Sequence, residues 1–238
     1  MTISAVVGAS EHDDASPYTV SPTVATAAGD LVVCVGAAFE FTAASPGSRT
    51  LSMASAGWTE IFVEEMQRYP WSPPDVNRRL IVGAWRKVAT GTSETPTIEL
   101  SGATGAYLRL SGRAIAVSGV ADYQRQGDVT RVDSTSSPAT FVADTPTTNI
   151  GEVCLLVHLA GGGGTSVPTG FTNLASGNTG DDDVDWRLAY AEPPVPDPAS
   201  FGASTTWHVL RGIALGPPVT TSGWHIGSLR FGSTGPGW

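Results

Sequence analysis

The segment Tyr107-Leu108-Arg109-Leu110-Ser111-Gly112-Arg113-Ala114-Ile115-Ala116-Val117 alternates apolar and polar residues at its start and becomes mostly apolar toward its end. Alternation with a period of two is typical of a β-strand with one face in water, so we predict a strand over 106–117. Thr97-Ile98-Glu99-Leu100 shows the same alternation. No segment of the sequence has the longer period of a capped amphipathic helix. The dominant element is therefore the strand.

Other short apolar segments are separated by Gly, Pro, Ser and Thr, the residues that form turns. They predict strands over 29–39, 57–64, 78–88, 153–159, 186–190 and 206–215. Strands without intervening helices favour antiparallel sheets packed face to face, so the expected fold is all-β, an antiparallel β-sandwich of jelly-roll-like type. The 28 Gly and 17 Pro argue against a helical protein, and 41% hydrophobic residues argue against disorder.

The sequence also contains an internal repeat. Four short matches occur in the same order in both halves, about 100 residues apart, a separation near the usual size of a compact unit. They are Gly29-Asp30-Leu31 with Gly151-Glu152-Val153, Gly57-Trp58-Thr59 with Gly170-Phe171-Thr172, Arg79-Leu80 with Arg187-Leu188, and Arg113-Ala114-Ile115 with Arg211-Gly212-Ile213. We therefore expect a β-sandwich domain over 1–217, with a pseudo-repeat of about 20–120 and 140–217.

Two arrangements of these halves are open, namely two separate sandwiches or one larger sandwich built from two similar halves. Each half offers only about four or five predicted strands, fewer than the roughly seven of a self-sufficient sandwich. The single larger sandwich is therefore favoured.

Residues 218–238, which begin at the second proline of Gly216-Pro217-Pro218, form a Gly- and Ser-rich C-terminal arm. Large apolar residues spaced along such a segment are suited to insertion into a partner surface. The predicted partner-binding residues are Trp224, Ile226, Leu229, Phe231 and Trp238. An arm that docks on its own domain is the alternative.

Charge, hydropathy and cysteine content limit the kinds of partner, compartment and cross-link that the chain is expected to have. A formal net charge of −9 disfavours nucleic acid. No run approaches the roughly 20 apolar residues of a membrane span, and the start of the chain lacks the basic region of a signal peptide, so we expect synthesis in the cytoplasm and no membrane partner. Cys34 and Cys154 lie in apolar runs and are expected to be buried thiols rather than a disulfide. No cofactor is predicted.

Two groups of residues are weak candidates for binding sites. Clustered carboxylates at Asp181, Asp182, Asp183 and Asp185, and a second cluster near the N-terminus, resemble the oxygen-rich ligand sets of calcium, although their spacing is not that of an EF-hand. Tyr69 and Trp71 lie in a proline-rich segment that is expected to be a loop. Aromatic side chains on such a loop can stack on a sugar or fill a pocket of a partner.

Candidate catalytic groups are few. His12, His158, His208 and His225 have no partner at metal-ligand spacing, and His158 and His208 lie in apolar strands that favour a structural role. Gly161-Gly162-Gly163-Gly164 lacks the Gly-Lys-Ser/Thr ending of a phosphate loop. A glycan hydrolase would need two opposed carboxylates, for which Glu60, Glu64 and Glu65 are available. We expect that the protein is not an enzyme.

The order of these motifs resembles a known family. Gly29-Asp30 before an apolar strand, Gly57-Trp58-Thr59-Glu60, Trp85-Arg86-Lys87-Val88-Ala89, Pro96-Thr97-Ile98-Glu99-Leu100 and Arg113-Ala114-Ile115-Ala116 are similar to the β-sandwich modules of minor tail and other virion proteins of phages that infect actinobacteria. That family usually shows GDLLVV, GWTxL, AYKVA and ALRG. Here the third motif reads AWRKVA and the last VLRGIAL. The resemblance covers Val20 to Leu215, and the arm segment Ile226 to Thr234 is similar to short Gly-Ser-Thr motifs of such proteins.

The resemblance implies a structural or attachment role without catalytic residues. We therefore expect a non-enzymatic structural component of a bacteriophage virion, a minor tail protein that forms a homo-oligomer and contacts other tail or capsid subunits. A capsid decoration protein and a carbohydrate-binding module for adsorption to the host cell are the alternatives.

Overall fold

The computed structural model describes residues 6–13, 18–42, 49–71, 76–102, 107–120, 122–126, 130–133, 139–143, 152–160, 166–178, 185–192, 194, 199–203 and 207–216. These residues contain strands, turns and bends and no helix. All strand pairs are antiparallel. The all-β, antiparallel sandwich predicted from the sequence is confirmed.

The described residues form eighteen strands, of which ten lie in a first half and eight in a second half. The strands of the first half are β1 (Val6–Asp13), β2 (Thr19–Val20), β3 (Val24–Ala25), β4 (Leu31–Thr42), β5 (Thr50–Met53), β6 (Thr59–Trp71), β7 (Val76–Val88), β8 (Ser93–Glu94), β9 (Ile98–Ser101) and β10 (Tyr107–Val117). Those of the second half are β11 (Asp122–Gln126), β12 (Thr130–Asp133), β13 (Ala139–Ala143), β14 (Val153–Ala160), β15 (Thr172–Asn178), β16 (Asp185–Ala191), β17 (Ala199–Ala203) and β18 (Trp207–Gly216).

Each half builds one large sheet with the same order of strands. The first large sheet has the order β1-β10-β4-β7-β6, and the second has β11-β18-β14-β16-β15, with β12 also paired to β18. Each half adds small sheets, β2-β9-β5 and β3-β8 in the first half and β13-β17 in the second. The two halves therefore place their strands in corresponding positions.

Local geometry follows the same correspondence. Gly57 and Gly170 both have positive φ, 81° and 86°, a conformation that glycine adopts without steric cost. Each of these turns leads into an edge strand with a shift of register two residues after its start, at Ile61 in β6 and at Leu174 in β15. A bulge at a sheet edge distorts the free backbone groups and so discourages pairing with foreign strands.

Three of the four sequence matches occupy corresponding register positions, and one does not. Arg113 lies opposite Val35, and Arg211 lies opposite Val157, which is the counterpart of Val35 in the Gly-Asp/Gly-Glu match. Arg79, however, lies opposite Glu40, whereas Arg187 lies opposite His158, the counterpart of Gly36. The similarity of Arg79-Leu80 to Arg187-Leu188 is therefore not a structural equivalence.

The two large sheets pack face to face and share one core. Its buried residues come from both halves: Leu31, Val33, Val35, Ala37, Phe39, Phe62, Leu80, Val82, Ala84, Ile115, Val117 and Val120 from the first, and Leu155, Val157, Leu159, Trp186, Leu188, Val209, Ile213 and Leu215 from the second. We call this contact the seam. Because β4 is covered on both faces, its sequence is a nearly continuous apolar run rather than an alternating one.

A second core lies between the outer face of the first large sheet and the small sheet β2-β9-β5. A row of three glycines, Gly112, Gly36 and Gly83, crosses the adjacent strands β10, β4 and β7 in register. An added Cβ would lie 3.0 Å from Ile98 at Gly36 and 2.4 Å from the Trp85 ring at Gly83. The glycines thus provide the space in which Trp85 and Ile98 pack.

The sequence pattern missed several strands. β2, β3, β5 and β8 are only two to four residues long, so they carry little periodicity. β6 and β7 are longer than predicted and extend to Trp71 and from Val76. The prediction that Tyr69 and Trp71 lie in a loop is wrong, because both belong to β6 and Trp71 pairs with Val76. The register shifts between Arg68 and Trp71, and pairing with β7 continues to Trp71 and Val76.

Candidate functional site

The seam carries the main polar constellation of the described residues. Arg113 of β10 and Arg211 of β18 are counterparts in the two halves, and both are buried. Each guanidinium lies over an aromatic ring of the opposite half: Arg113 is 3.6 Å from the centroid of Trp186, and Arg211 is 4.8 Å from that of Phe62. The two arginines are counterparts, whereas the rings are not, because Trp186 corresponds in register to Val82 and Phe62 to Ala175.

Hydrogen bonds fix these arginines in place. Nη1 of Arg113 donates to Ser111 Oγ at 3.0 Å and to the carbonyl oxygen of Gly112 at 2.8 Å. Nη1 of Arg211 donates to Oε1 of Glu64 on β6 and forms an ion pair with it. A buried guanidinium is tolerated only where charge or hydrogen bonds compensate for lost water, and both arginines meet this condition.

The candidate hydrolase acids occupy structural ion pairs or solvent. Glu64 pairs with Arg211, and Glu65 lies 2.8 Å from Nε of Arg79. Because successive residues of a strand point to opposite faces, these two carboxylates form their ion pairs on opposite faces of the sheet. Glu60 is exposed near the start of β6.

A further buried ion pair lies on the outer face of the first large sheet. Glu40 of β4 and Arg49, which precedes β5, have side chains that are only 5% and 4% exposed. Nε of Arg49 donates to both carboxylate oxygens, at 3.1 and 3.0 Å, and Nη2 donates to Oε1. This bidentate geometry holds β5 to the large sheet.

The predicted calcium ligands are only partly within the described residues. Asp181, Asp182 and Asp183 lie outside them. Asp185 opens β16, is buried, and pairs across the sheet with Ala160 and Asn178. Within the described ranges no group of three or more His, Cys, Asp or Glu residues could hold a metal ion.

The predicted partner-binding residues Trp224, Ile226, Leu229, Phe231 and Trp238 lie outside the described residues, as does His225. His158, in contrast, is buried in β14 between β16 and β18, which confirms its expected place in a strand face. Both cysteines are buried and form no disulfide, as predicted. Burial raises the pKa of the Cys34 thiol, because a thiolate would lose its hydration.

The surface of the small sheet is rich in hydroxyl groups. Ser21 Oγ and Thr97 Oγ1 are 3.0 Å apart, and so are Thr23 Oγ1 and Thr95 Oγ1. Among the residues whose burial is described, the one large exposed hydrophobic side chain is Val88. The described surface therefore offers no contiguous apolar patch of the kind that marks a docking site.

The arginine pairs across the seam could not be located from single residues. The available signal was the Arg113/Arg211 match, since a charged residue that recurs in an apolar strand of both halves requires a partner. The glycine row had no signal, because Gly36, Gly83 and Gly112 align only after the strands are paired.

No family model, curated protein or solved structure matches the chain. No helix long and apolar enough to cross a membrane occurs in the part of the chain that the structure describes.

Proposed function

We propose that the protein is a non-enzymatic structural component of a bacteriophage virion, a minor tail protein that assembles through contacts with other tail or capsid subunits and with copies of itself. The observation that carries the proposal is the structural role of the motifs behind the family resemblance. Gly57 forms the turn before a bulged edge strand, Trp85 fills the glycine row, and Arg113 contacts the opposite half. Motifs that serve packing and turns in this way are expected of a structural subunit.

The use of charged groups supports the same proposal. Arg49, Arg79, Arg211 and their carboxylate partners connect strands or sheets, and Arg113 connects the halves. Polar groups that are engaged in this way add rigidity and specificity to a fold rather than a reactive centre. A formal net charge of −9 also suits a protein that does not bind the phosphate backbone.

The proposal is tested on purified phage particles. Mass spectrometry should find the chain at a constant number of copies per particle, and gold-labelled antibody should bind to the tail. Label on the capsid surface would favour a decoration protein instead. If the chain is absent from particles that have been freed of soluble protein, the proposed virion role is wrong.

Adsorption to a host carbohydrate is the second candidate, through the closed end of the β6–β7 hairpin, where Tyr69 and Trp71 are located. It is tested by adding purified chain to host cell-wall polysaccharide, with the variant Trp71→Ala as the comparison. Retention of the original chain with loss of retention for the variant would support this role. Equal behaviour of both chains would exclude this hairpin as the binding site.

A further inference from the structure

The two halves contact each other through side chains rather than through a shared sheet. Within the described residues, every sheet is built from strands of one half, either β1 to β10 or β11 to β18. The seam consists of the joint core, the two arginine–ring contacts and the ion pair between Arg211 and Glu64. In this part of the chain, the halves can therefore separate without the loss of any strand pairing.

The covalent link between the halves is a short turn. β10 ends at Val117 and β11 begins at Asp122, so four residues join the two strands. Ser118 and Gly119 form the turn, Gly119 has a φ of 72°, and Val120 is already buried in the seam core. A residue with a side chain is strained at such a φ, because its Cβ crowds the neighbouring carbonyl oxygen. The closed arrangement of both halves in one chain thus depends on a turn that favours glycine.

The seam itself does not require that both halves belong to the same chain. The second half of another copy carries the same surface, so its Trp186 and Arg211 would meet Arg113 and Phe62 of the first copy in the same geometry. Every contact of the seam would form again, and only the link would change its conformation. The face of the first half and the surface that fits it are both visible in the structure.

We propose that two copies exchange halves, so that each sandwich combines the first half of one copy with the second half of the other and the turn at Ser118 and Gly119 opens into an extended link. Exchange of identical elements is a low-cost route to a dimer, because the contacts of the monomer are reused. In dilute solution the closed monomer is favoured, since the link keeps the halves at a high effective concentration. An extended link of four residues spans at most about 14 Å, so the two sandwiches lie side by side.

This inference gives the self-association within the proposed function a physical basis, and it rests on that proposal for the expectation that copies meet at high concentration. The first test alters the turn. Gly119→Ala strains the closed monomer, whereas the open links of the exchanged dimer need no positive φ. The monomer–dimer equilibrium constant should rise at least about thirtyfold, because each dimer relieves two turns and one left-handed residue costs a factor of about five.

The measurement is mass photometry after unfolding and refolding at a series of protein concentrations, since exchange requires the halves to separate. Gly57→Ala is the matched control, because Gly57 also has a positive φ, 81°, but lies in a turn within the first half that both forms retain. Its equilibrium constant should equal that of the original chain. Insertion of a flexible segment of Gly and Ser after Gly119 should act in the opposite direction and remove the dimer, because a longer link relaxes the closed form.

The second test shows which chains form the seam. Glu64→Arg and Arg211→Glu each place like charges at the ion pair of a closed monomer. When the two variants are refolded together, an exchanged dimer of one copy of each has opposite charges at both seams. Native mass spectrometry should find at least about tenfold more mixed dimers than dimers of either variant alone. The midpoint of thermal unfolding of the mixture should exceed that of each variant alone.

Refolded mixtures that contain only monomers or unfolded chains, or dimers in which the two variants combine at random, would overturn the proposal. A dimer that forms through an outer surface gives random combination, because each seam then stays within one chain. Equal behaviour of Gly119→Ala and Gly57→Ala would also overturn it. These outcomes do not depend on whether the chain is found in particles, which is the separate test of the virion role.

Discussion

The two halves agree at the seam and differ on their outer faces. At the seam both use the same strand order, the same bulged edge strand and an arginine that contacts an aromatic ring of the other half. On the outer faces, the glycine row of the first half corresponds by register to bulky residues in the second, namely Leu210, His158 and Arg187. Trp85 corresponds in register to the small residue Ala189.

Small residues on one outer face thus correspond to large residues on the other, and this difference shows which parts of the repeat have kept the same residue types. At the seam the arginine is preserved in both halves, because each guanidinium contacts a ring of the other half. The outer layers have no such requirement and differ between the halves. In the first half the glycine row lies beneath Trp85 and the three-stranded sheet β2-β9-β5. In the second half large side chains occupy the corresponding positions, and the small sheet β13-β17 has two strands. Interiors are close-packed, so a change at one position requires an opposite change beside it.

The largest effect is expected from Glu40, whose buried ion pair with Arg49 exists only in the first half, since the second half has Gly162 at the corresponding position. Glu40→Gln leaves the Arg49 guanidinium buried without its counter-charge, which should lower the free energy of unfolding by about 3–5 kcal/mol. Denaturant titration measures this change.

The double variant Glu40→Leu/Arg49→Met should recover most of that loss, because neither charge of this pair remains buried. Glu99→Gln, on the exposed face of β9, is the control and should change stability by less than about 0.5 kcal/mol. A loss below about 1 kcal/mol for Glu40→Gln would show that water reaches the pair.

The next effect concerns the glycine row. Gly83→Ala places a Cβ 2.4 Å from the Trp85 ring, so the indole must move within a filled core. Overpacking of this kind costs about 1–3 kcal/mol, measured as a lower midpoint of thermal unfolding. Gly91→Ala is the matched control, because an added Cβ there meets nothing within 4 Å. Equal behaviour of the two variants would contradict the close packing of Trp85 on the row.

Double-mutant cycles test whether the two arginine–ring contacts of the seam contribute equally to the free energy of unfolding. A double-mutant cycle with Arg113→Leu and Trp186→Leu should give a coupling of about 1–2 kcal/mol, as expected for a desolvated cation–π contact. The cycle of Arg211→Leu with Phe62→Leu should give a smaller value, because the distance is 4.8 rather than 3.6 Å and Arg211 is also paired with Glu64. A coupling near zero in the first cycle would mean that the ring and the guanidinium are independent.

The sequence predicts the fold class well because long strands leave a strong local signal. The strand predicted over 106–117 is β10 (Tyr107–Val117), and the predicted alternation in Thr97-Ile98-Glu99-Leu100 is the burial pattern of β9. The seam pairs and the glycine row depend on register between strands that are distant in the sequence, and no local pattern encodes register. The similarity of Arg79 to Arg187 failed for the same reason, since a two-residue match does not define the pairing of its strand.

The smallest expected effect is a dependence on pH that distinguishes the halves at one position. Cys34 in the first half corresponds to Leu156 in the second, so only the first half has a titratable group there.

Burial raises the pKa of this thiol in the folded state, whereas the unfolded chain releases the proton near pH 8.5. A group whose pKa is higher in the folded state contributes stability that is complete below its unfolded pKa and is lost as the pH rises. From pH 7 to pH 9 the original chain should therefore lose about 0.8 kcal/mol more stability than the variant Cys34→Ala. Denaturant titrations of both proteins at the two pH values measure the difference, and common contributions from other groups cancel. Parallel pH profiles would mean that Cys34 ionises as easily in the folded protein as in the unfolded chain.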